Sequence, residues 1–368
     1  MFKRVQWLAV VRGKRWTLAK IVHRKLKVNI LWLSEFRGES SIQETNGEQF
    51  GELLDNDTEL DRNQETNAQS QDSHVGQCRN WLLKQKVPLK KLRLAISCPG
   101  IIIRIITLPL MSSKDLKTLL TDRVDQYFTL NIADYLVDYR LVQNFKEDGQ
   151  MRQRILLAAI PRYHWEQILK TFEEIGIKPK VVDLAADSLT RLYGKLSAQK
   201  VRAQVNGQSV QFKDIAVIDL EADRVEFILL EEGKFFLYSD LEVDLRALDG
   251  LVLPKESKEK SEFDGEGLSQ ERLHDEVENV IAPVLRTLEE FLTFFAARHF
   301  GKSIDRIFLT GEYADCPFLA ELFETNLEIE AYVGFPHNWR PYFSPKVRGK
   351  QQEWMKYGSL YGLALRED

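Results

Sequence analysis

The 368-residue chain has few of the features that mark a disulfide-bonded, metal-binding or membrane-spanning protein. It contains three cysteines, Cys78, Cys98 and Cys316, and six histidines. The cysteines are odd in number and far apart, which argues against a disulfide framework, and no H-E-x-x-H spacing is present. We therefore expect reduced, structural thiols and no metal site. The best apolar run, residues 101–110, is interrupted by Arg104 and falls short of the roughly 20 residues that span a bilayer.

The chain also lacks an excess of either charge. Lysine and arginine total 51 against 55 aspartates and glutamates, so the formal net charge is −4. No global cationic field exists to recruit nucleic acid, and no nucleic-acid partner is expected. Hydrophobic residues make up 44% and charged residues 29%, which is typical of a soluble globular protein. The length allows two or three domains, and the composition predicts a cytoplasmic location.

The chain shows one pattern twice. Short segments rich in β-branched and aromatic residues at 5–11, 16–22 and 27–33 predict a β-meander, and residues 215–220, 224–230 and 234–239 predict a second. Residues 92–183 alternate strands and helices and predict a small α+β subdomain. The predicted divisions are the first half of lobe 1 (1–91, with a polar insertion at 37–78), the inserted subdomain (92–183), and the return to lobe 1 with the second lobe (184–368).

Two predicted helices have clear signals. Residues 164–175 carry an apolar stripe and stop at Gly176, a residue suited to a left-handed helix end. Residues 277–300 carry the strongest apolar stripe in the chain. Pro283 lies inside this second stripe and predicts either a kink or the true start of the helix.

Five segments in a fixed order resemble one family. They are Tyr127-Phe128, Val137-Asp138-Tyr139, and residues 156–161, 176–183 and 215–220. In this order they resemble the PilM-type assembly proteins of type IV pili, themselves similar to FtsA, in the actin-like ATPase superfamily. The resemblance covers roughly residues 90–365. It implies an α/β, actin-like (ribonuclease H-like) bilobal fold with a duplicated β-meander and an inserted small subdomain.

The resemblance also implies a nucleotide site between glycine-bearing hairpins, and this chain departs from its pattern. The first hairpin keeps Gly13, but Lys14 and Arg15 replace hydroxyl residues; the second keeps Asp219 but has Glu221 at the glycine; the third keeps Gly311 but has Glu312 at the second glycine. Because a carboxylate repels phosphate, we expect a vestigial site, no ATP or Mg²⁺ cofactor and no enzymatic activity. The alternatives are an ATP-binding member, with Lys14 and Arg15 rescuing phosphate binding, and a sugar-kinase-like enzyme.

For partners, the resemblance implies a scaffold of a type IV pilus, or of a related secretion or DNA-uptake machine. Such a scaffold binds the cytoplasmic tail of a bitopic, PilN-like inner-membrane protein at the inner face of the plasma membrane, and the pilus motor ATPase is a further possible partner. By position, the candidate contact residues are Leu108, Pro109, Leu110, Tyr127 and Phe128. The alternative is that these five are ordinary core residues.

A short basic cluster leads into the predicted strand at residue 92. It consists of Lys84, Lys86, Lys90, Lys91 and Arg93. One interpretation is a contact with anionic lipid headgroups, and the other is a solvated linker.

Overall fold

The structure of the chain is a computed structural model. It describes residues 5–24, 27–38, 74–128, 131–197, 201–202, 209–210, 212–249, 270–335 and 342–366. Most of the predicted polar insertion at 37–78 lies outside the described residues.

The chain folds into sixteen described strands and seven described helices. The strands are β1 (Val5–Arg12), β2 (Arg15–Arg24), β3 (Lys27–Arg37), β4 (Leu92–Ser97), β5 (Ile102–Pro109), β6 (Tyr135–Glu147), β7 (Gln150–Pro161), β8 (Val181–Leu184), β9 (Val201–Arg202), β10 (Ser209–Val210), β11 (Ile215–Glu221), β12 (Arg224–Glu231), β13 (Lys234–Glu242), β14 (Arg306–Gly311), β15 (Ala331–Val333) and β16 (Tyr342–Phe343). The helices are α1 (residues 74–84), α2 (Ser113–Arg123), α3 (Arg162–Ile175), α4 (Ala185–Ser197), α5 (Gln270–Arg298), α6 (Leu319–Leu327) and α7 (Gly358–Ala364).

Two sheets repeat one topology and form the centres of the two lobes. The first has the order β16-β3-β2-β1-β4-β8 and the second the order β13-β12-β11-β14-β15. In each, an antiparallel meander is followed by two parallel strands, β4 and β8 or β14 and β15. The two predicted meanders are confirmed, and β1 and β11 are interior strands of these sheets, with β11 buried throughout and β1 buried at its centre.

Helix α1 corrects the prediction for residues 37–78. The insertion was expected to be polar to Cys78, but the chain is helical from residue 74. Cys78 and Leu82 lie one turn apart and are fully buried in the lobe 1 core. Trp81 packs beside Phe36 of β3, with ring centroids 5.5 Å apart, and its indole N–H donates to the Ser34 hydroxyl.

The two helices with clear sequence signals are both present. Gly176 ends α3 with φ +85°, as predicted. Helix α5 runs without a break from Gln270 to Arg298, so Pro283 does not mark its start. Within the described part of the chain, no helix is both long and apolar enough to cross a bilayer.

The small subdomain is an insertion between β4 and β8. Its antiparallel sheet has the order β5-β7-β6, and α2 covers one face through an apolar cluster. The buried members of this cluster are Leu108, Leu116, Leu120, Phe128, Ile155, Leu157 and Ala159. Because β4 and β8 pair within the lobe 1 sheet, the inserted unit runs from β5 to α3, inside the predicted 92–183.

Candidate functional site

The duplicated meanders bring two equivalent hairpins face to face between the lobes. Arg12 ends β1 opposite Arg15, the first residue of β2, and Glu221 ends β11 opposite Arg224, the first residue of β12. The first hairpin is closed by Arg-Gly-Lys-Arg and the second by Glu-Ala-Asp-Arg. Arginines from lobe 1 therefore meet carboxylates from lobe 2.

Arg12 makes contacts with three residues across this cleft. Its Nη2 donates to Asp219 of β11 and to the hydroxyl of Ser359 at 2.7 Å, and its Nη1 lies 3.3 Å from a carboxylate oxygen of Glu221. Ser359 belongs to the first turn of α7. The guanidinium therefore joins β1, β11 and α7 at one point.

Arg15 makes the second set of contacts. Its Nη1 lies 2.6 Å from Glu221 and 2.9 Å from Glu312, and its Nη2 lies 3.4 Å from Glu35 of β3. Glu312 also pairs with Arg37, which is more exposed. We call this set of side chains the cleft network: Arg12, Arg15, Arg37, Glu35, Asp219, Glu221 and Glu312.

The cleft network is largely removed from water. The side chains of Arg12 and Arg15 are 13% and 12% exposed, and those of Asp219 and Glu221 are 1% and 9% exposed. Burial raises the pKa of Asp219, against the opposing effect of Arg12. Burial also raises the pKa of Glu221 to about 7, although both arginines oppose the rise. A raised pKa fits the charge count, because four carboxylates share three guanidinium groups.

The arginines respond in the opposite sense. Burial alone would lower the pKa of Arg12, but Asp219 and Glu221 outweigh burial and raise it. The pKa of Arg15 is likewise raised, since Glu221 and Glu312 outweigh its burial. Both guanidinium groups are therefore fixed as cations, and each is held by more than one carboxylate.

The residues at this cleft do not fit a nucleoside triphosphate and Mg²⁺. Glu221 and Glu312 stand at positions where phosphate would have to approach the backbone, and Arg15 lies against both. Both carboxylates are paired with arginine. The alternative in which Lys14 and Arg15 rescue phosphate binding stays a prediction, and it would require Arg15 to leave these two partners.

The two retained glycines have structural reasons of their own. Gly311 has φ +95°, and a Cβ there would lie 2.5 Å from the Leu220 carbonyl oxygen and 2.7 Å from a carboxylate oxygen of Asp219. Gly13 has φ +54° in the β1–β2 turn, and a Cβ there would meet nothing within 4 Å. Backbone packing requires Gly311, and the turn conformation alone accounts for Gly13.

Asp219, Glu221 and Glu312 are predicted from the sequence. The two arginines that reach them from β1 and β3, Arg12 and Arg37, are not. The available signal was the opposite charge of the two equivalent turns, Arg-Gly-Lys-Arg and Glu-Ala-Asp-Arg. Arg12 and Asp219 are 207 residues apart in the chain, so their pairing is visible only in the folded structure, where the two lobes meet.

The five partner-binding candidates do not form one surface. Leu108 and Phe128 are buried in the subdomain core, Tyr127 is half-buried, and Pro109 and Leu110 are exposed. Pro109 ends β5, seven residues beyond Ile102, which places it about 23 Å from the lobe 1 end of the strand at ~3.3 Å per residue. The apolar positions of a strand do not indicate which face is buried, and the sequence prediction therefore mixed core and surface.

The outer edge of β6 lies beside lobe 1. Arg140 of β6 pairs with Asp187 in the first turn of α4, and Asp187 is also held by Arg191 at 2.8 Å. Among the described residues, β7 is the only strand that pairs with β6. Leu136 and Leu141 of β6 are exposed. The unpaired edge of β6 therefore lies near lobe 1 at Arg140, and the two exposed leucines, five residues apart in an extended strand, flank this edge on opposite faces of the sheet.

These features define the class of the protein. Two lobes built on repeated sheets, with a cleft between equivalent hairpins and a small inserted subdomain, form an actin-like fold. The family model described as type IV pilus assembly protein PilM matches residues 52–368. The chain therefore belongs to the PilM family of type IV pilus assembly proteins, which confirms the resemblance seen in the sequence.

One solved structure agrees with this fold, and two others are similar to a lesser degree. A PilM–PilN type IV pilus biogenesis complex matches with a TM-score of 0.68 at 15% identity, covering 99% of each chain. The ethanolamine utilization protein EutJ from Carboxydothermus hydrogenoformans matches at 0.44 and 11% identity, covering 99% of this chain and 90% of EutJ. An MreB protein of Spiroplasma citri bound to ADP matches at 0.45 and 8% identity, covering 98% of this chain and 95% of MreB.

Proposed function

We propose that the protein is a non-enzymatic cytoplasmic scaffold of a type IV pilus, or of a related secretion or DNA-uptake machine. It binds the cytoplasmic tail of a PilN-like bitopic membrane protein, and this partner holds it at the inner face of the plasma membrane. Contact with the pilus motor ATPase is a second proposed interaction. The observation that carries the proposal is the cleft network, because it replaces a nucleotide with ion pairs that join the lobes.

The reasoning from the cleft is electrostatic. In an actin-like protein that uses ATP, phosphate and Mg²⁺ bridge the two hairpins. Here Arg12 and Arg15 bridge them to Asp219, Glu221 and Glu312. Binding of a triphosphate would break buried charge pairs, and separating one such pair costs about 3–5 kcal/mol. These ion pairs support a scaffold in which the lobes are joined by side chains and not by a nucleotide.

For the partner, the edge of β6 is the strongest candidate. An extended peptide adds to a sheet through main-chain hydrogen bonds and takes its specificity from alternate side chains. The pairing of β6 with β7 is regular from Tyr135 to Leu141 and is interrupted by a bulge before Gln143. The regular stretch is long enough for a short tail, and Arg140 holds it beside α4.

The test is calorimetry of the full chain with the synthetic N-terminal cytoplasmic peptide of the co-encoded bitopic membrane protein. We expect saturable binding that weakens at least tenfold in Leu136→Asp/Leu141→Asp. Phe300→Asp is the matched control, because the Phe300 side chain is fully exposed on lobe 2. The variant Leu110→Asp separates the subdomain tip from the edge, and we expect it to bind normally.

The results of this titration test two claims separately: where the peptide binds, and whether it binds at all. Peptide binding that is unchanged in Leu136→Asp/Leu141→Asp but lost in Leu110→Asp would move the site to the tip of the subdomain. No binding by the wild-type chain would contradict the partner proposal itself.

A further inference from the structure

A pocket lies on lobe 1, away from the cleft and from the inserted subdomain. It has a volume of about 690 Å³, and its main lining residues are Trp7, Lys20, Trp32, Lys86, Pro345 and Lys346. Trp7 is near the start of β1, five residues before Arg12. At ~3.3 Å per strand residue, the pocket lies about 16 Å from the cleft network.

The floor of the pocket is built across three strands. Trp7 of β1 is in register with Lys20 of β2, which is in register with Trp32 of β3. The two indole rings are 5.7 Å apart, and the Lys20 ammonium lies 5.4 Å from the centre of the Trp7 ring. A cation held against an indole face is a stable pairing that keeps a positive charge beside an apolar surface.

The rim of the pocket is positive. Lys86 and Lys346 are exposed members of its lining, and no acidic side chain is among the described residues that line the pocket. In the described part of the chain, no carboxylate forms an ion pair with Lys20, Lys86 or Lys346. The lysines are therefore available to an anionic ligand.

The basic cluster of residues 84–93 shares Lys86 with this rim, and one of its members is corrected. Lys84, Lys90 and Lys91 are exposed, as a contact with headgroups requires. Arg93 is only 3% exposed and lies within 3.5 Å of the Gln6 side chain and the Arg366 carbonyl, so it does not belong to the surface.

Three large apolar side chains that are close in sequence to pocket residues are exposed to solvent. Val5 is 47% exposed, Leu83 53% and Tyr342 54%. Each lies two residues from a pocket residue: Trp7, Gln85 and Ser344, respectively. Lysines combined with exposed apolar and tryptophan side chains are typical of protein surfaces that sit at the boundary between water and lipid.

We propose that this pocket binds the headgroup of an anionic phospholipid and docks lobe 1 directly on a membrane surface. Charge complementarity decides the occupant. Lys20, Lys86 and Lys346 contribute three positive charges to a pocket that has two tryptophans and no acidic side chain among its described lining residues, which suits an anionic headgroup held at an apolar boundary better than a bound peptide. The contact does not need the partner tail, so it goes beyond the proposed scaffold function.

The experiment is sedimentation of the full chain with phosphatidylglycerol–phosphatidylcholine vesicles and with pure phosphatidylcholine vesicles. We expect salt-sensitive binding to the first only. The variant Lys20→Gln/Lys86→Gln/Lys346→Gln should partition about 100-fold more weakly, since each lysine near an anionic surface contributes roughly a factor of five. The control Lys114→Gln/Lys117→Gln/Lys146→Gln removes the same charge from exposed positions of the inserted subdomain and should change binding less than threefold.

A second measurement covers the aromatic floor. Brominated lipids should quench tryptophan fluorescence in the wild type and much less in Trp7→Phe/Trp32→Phe, while circular dichroism confirms that the variant is folded. Equal binding to both kinds of vesicle, or equal losses in the two lysine triples, would overturn the proposal. Saturable binding of a peptide of alternating glutamate and leucine, without binding to either kind of vesicle, would also overturn the proposal, because the occupant would then be a polypeptide.

Discussion

Arg12 and Glu221 occupy equivalent positions in the two lobes, each at the end of the first strand of its meander, and they face each other across the cleft with Nη1 and Oε1 3.3 Å apart. Two equivalent positions of the repeated meander therefore carry opposite charges. In an ATP-dependent member of the superfamily this is where a ligand joins the lobes. Here the chain's own side chains join them.

Removing one cation from the cleft network should destabilise the fold strongly. Arg15→Ala leaves Glu221 and Glu312 buried with less compensation, and loss of one partner of a buried pair costs about 3–5 kcal/mol. Arg123→Ala, at an exposed position of α2, should change the free energy of unfolding by less than about 0.5 kcal/mol. Urea unfolding of the two variants compares them directly, and equal midpoints would show that the network contributes nothing to stability.

Acidification should stabilise the wild type relative to Glu221→Gln. The pKa of Glu221 is about 7 in the folded chain, above its ordinary value of 4.5, so the folded state takes up a proton at a higher pH than the unfolded state. This contribution is fully present below the ordinary pKa and is lost as pH rises through about 7, with a slope of at most about 1.4 kcal/mol per pH unit.

Unfolding free energies at pH 5.5 and pH 8 measure this difference. The free energy of unfolding of the wild type, relative to that of Glu221→Gln, should be higher at pH 5.5 than at pH 8. Glu321→Gln, at an exposed position of α6, should follow the wild-type profile. Parallel profiles for all three proteins would contradict the raised pKa.

The two glycines at the cleft should tolerate substitution very differently. Gly311→Ala brings a Cβ within 2.5 Å of the Leu220 carbonyl oxygen at φ +95°, so backbone must move, and we expect a loss of more than about 4 kcal/mol or failure to fold. Gly13→Ala meets only the left-handed backbone penalty of about 1–2 kcal/mol. Thermal unfolding checks both, and a large loss at Gly13 alone would show that this turn has a further role.

The three thiols should be inert in the native protein. Burial raises the pKa of Cys78 and Cys98 to about 12 and that of Cys316 to about 11. Thiolates are the reactive form, so a disulfide reagent at pH 8 should label the chain only at the rate of unfolding. Rapid labelling without denaturant would contradict the burial of these cysteines.

The strands of both meanders could be predicted from the sequence, because β-branched and aromatic segments alternate with charged turns. Helix α1 was missed because it directly follows a long polar stretch, although Val75, Cys78 and Leu82 have helical spacing. The burial of Cys78 and Leu82 depends on the lobe 1 core against which they pack.

At the cleft, the lost glycines were visible in the sequence, but the ion pairs were not. Local sequence predicts that Glu221 and Glu312 disfavour phosphate; it does not show that Arg12 and Arg15 approach them from a distant segment. At the subdomain, the sequence could not separate Leu108, which is buried, from Leu110, which is exposed, because the two would share a face of one strand and the sequence does not show that β5 ends at Pro109.

The most direct test of the account is calorimetric titration of the purified full chain with Mg-ATP, with thermal unfolding measured in parallel. The cleft network predicts no saturable heat and no rise in melting temperature, because a ligand that bound the native state would stabilise it. Micromolar binding that Gly13→Asp abolishes would contradict the account and make the protein an ATP-binding member whose nucleotide state gates partner exchange.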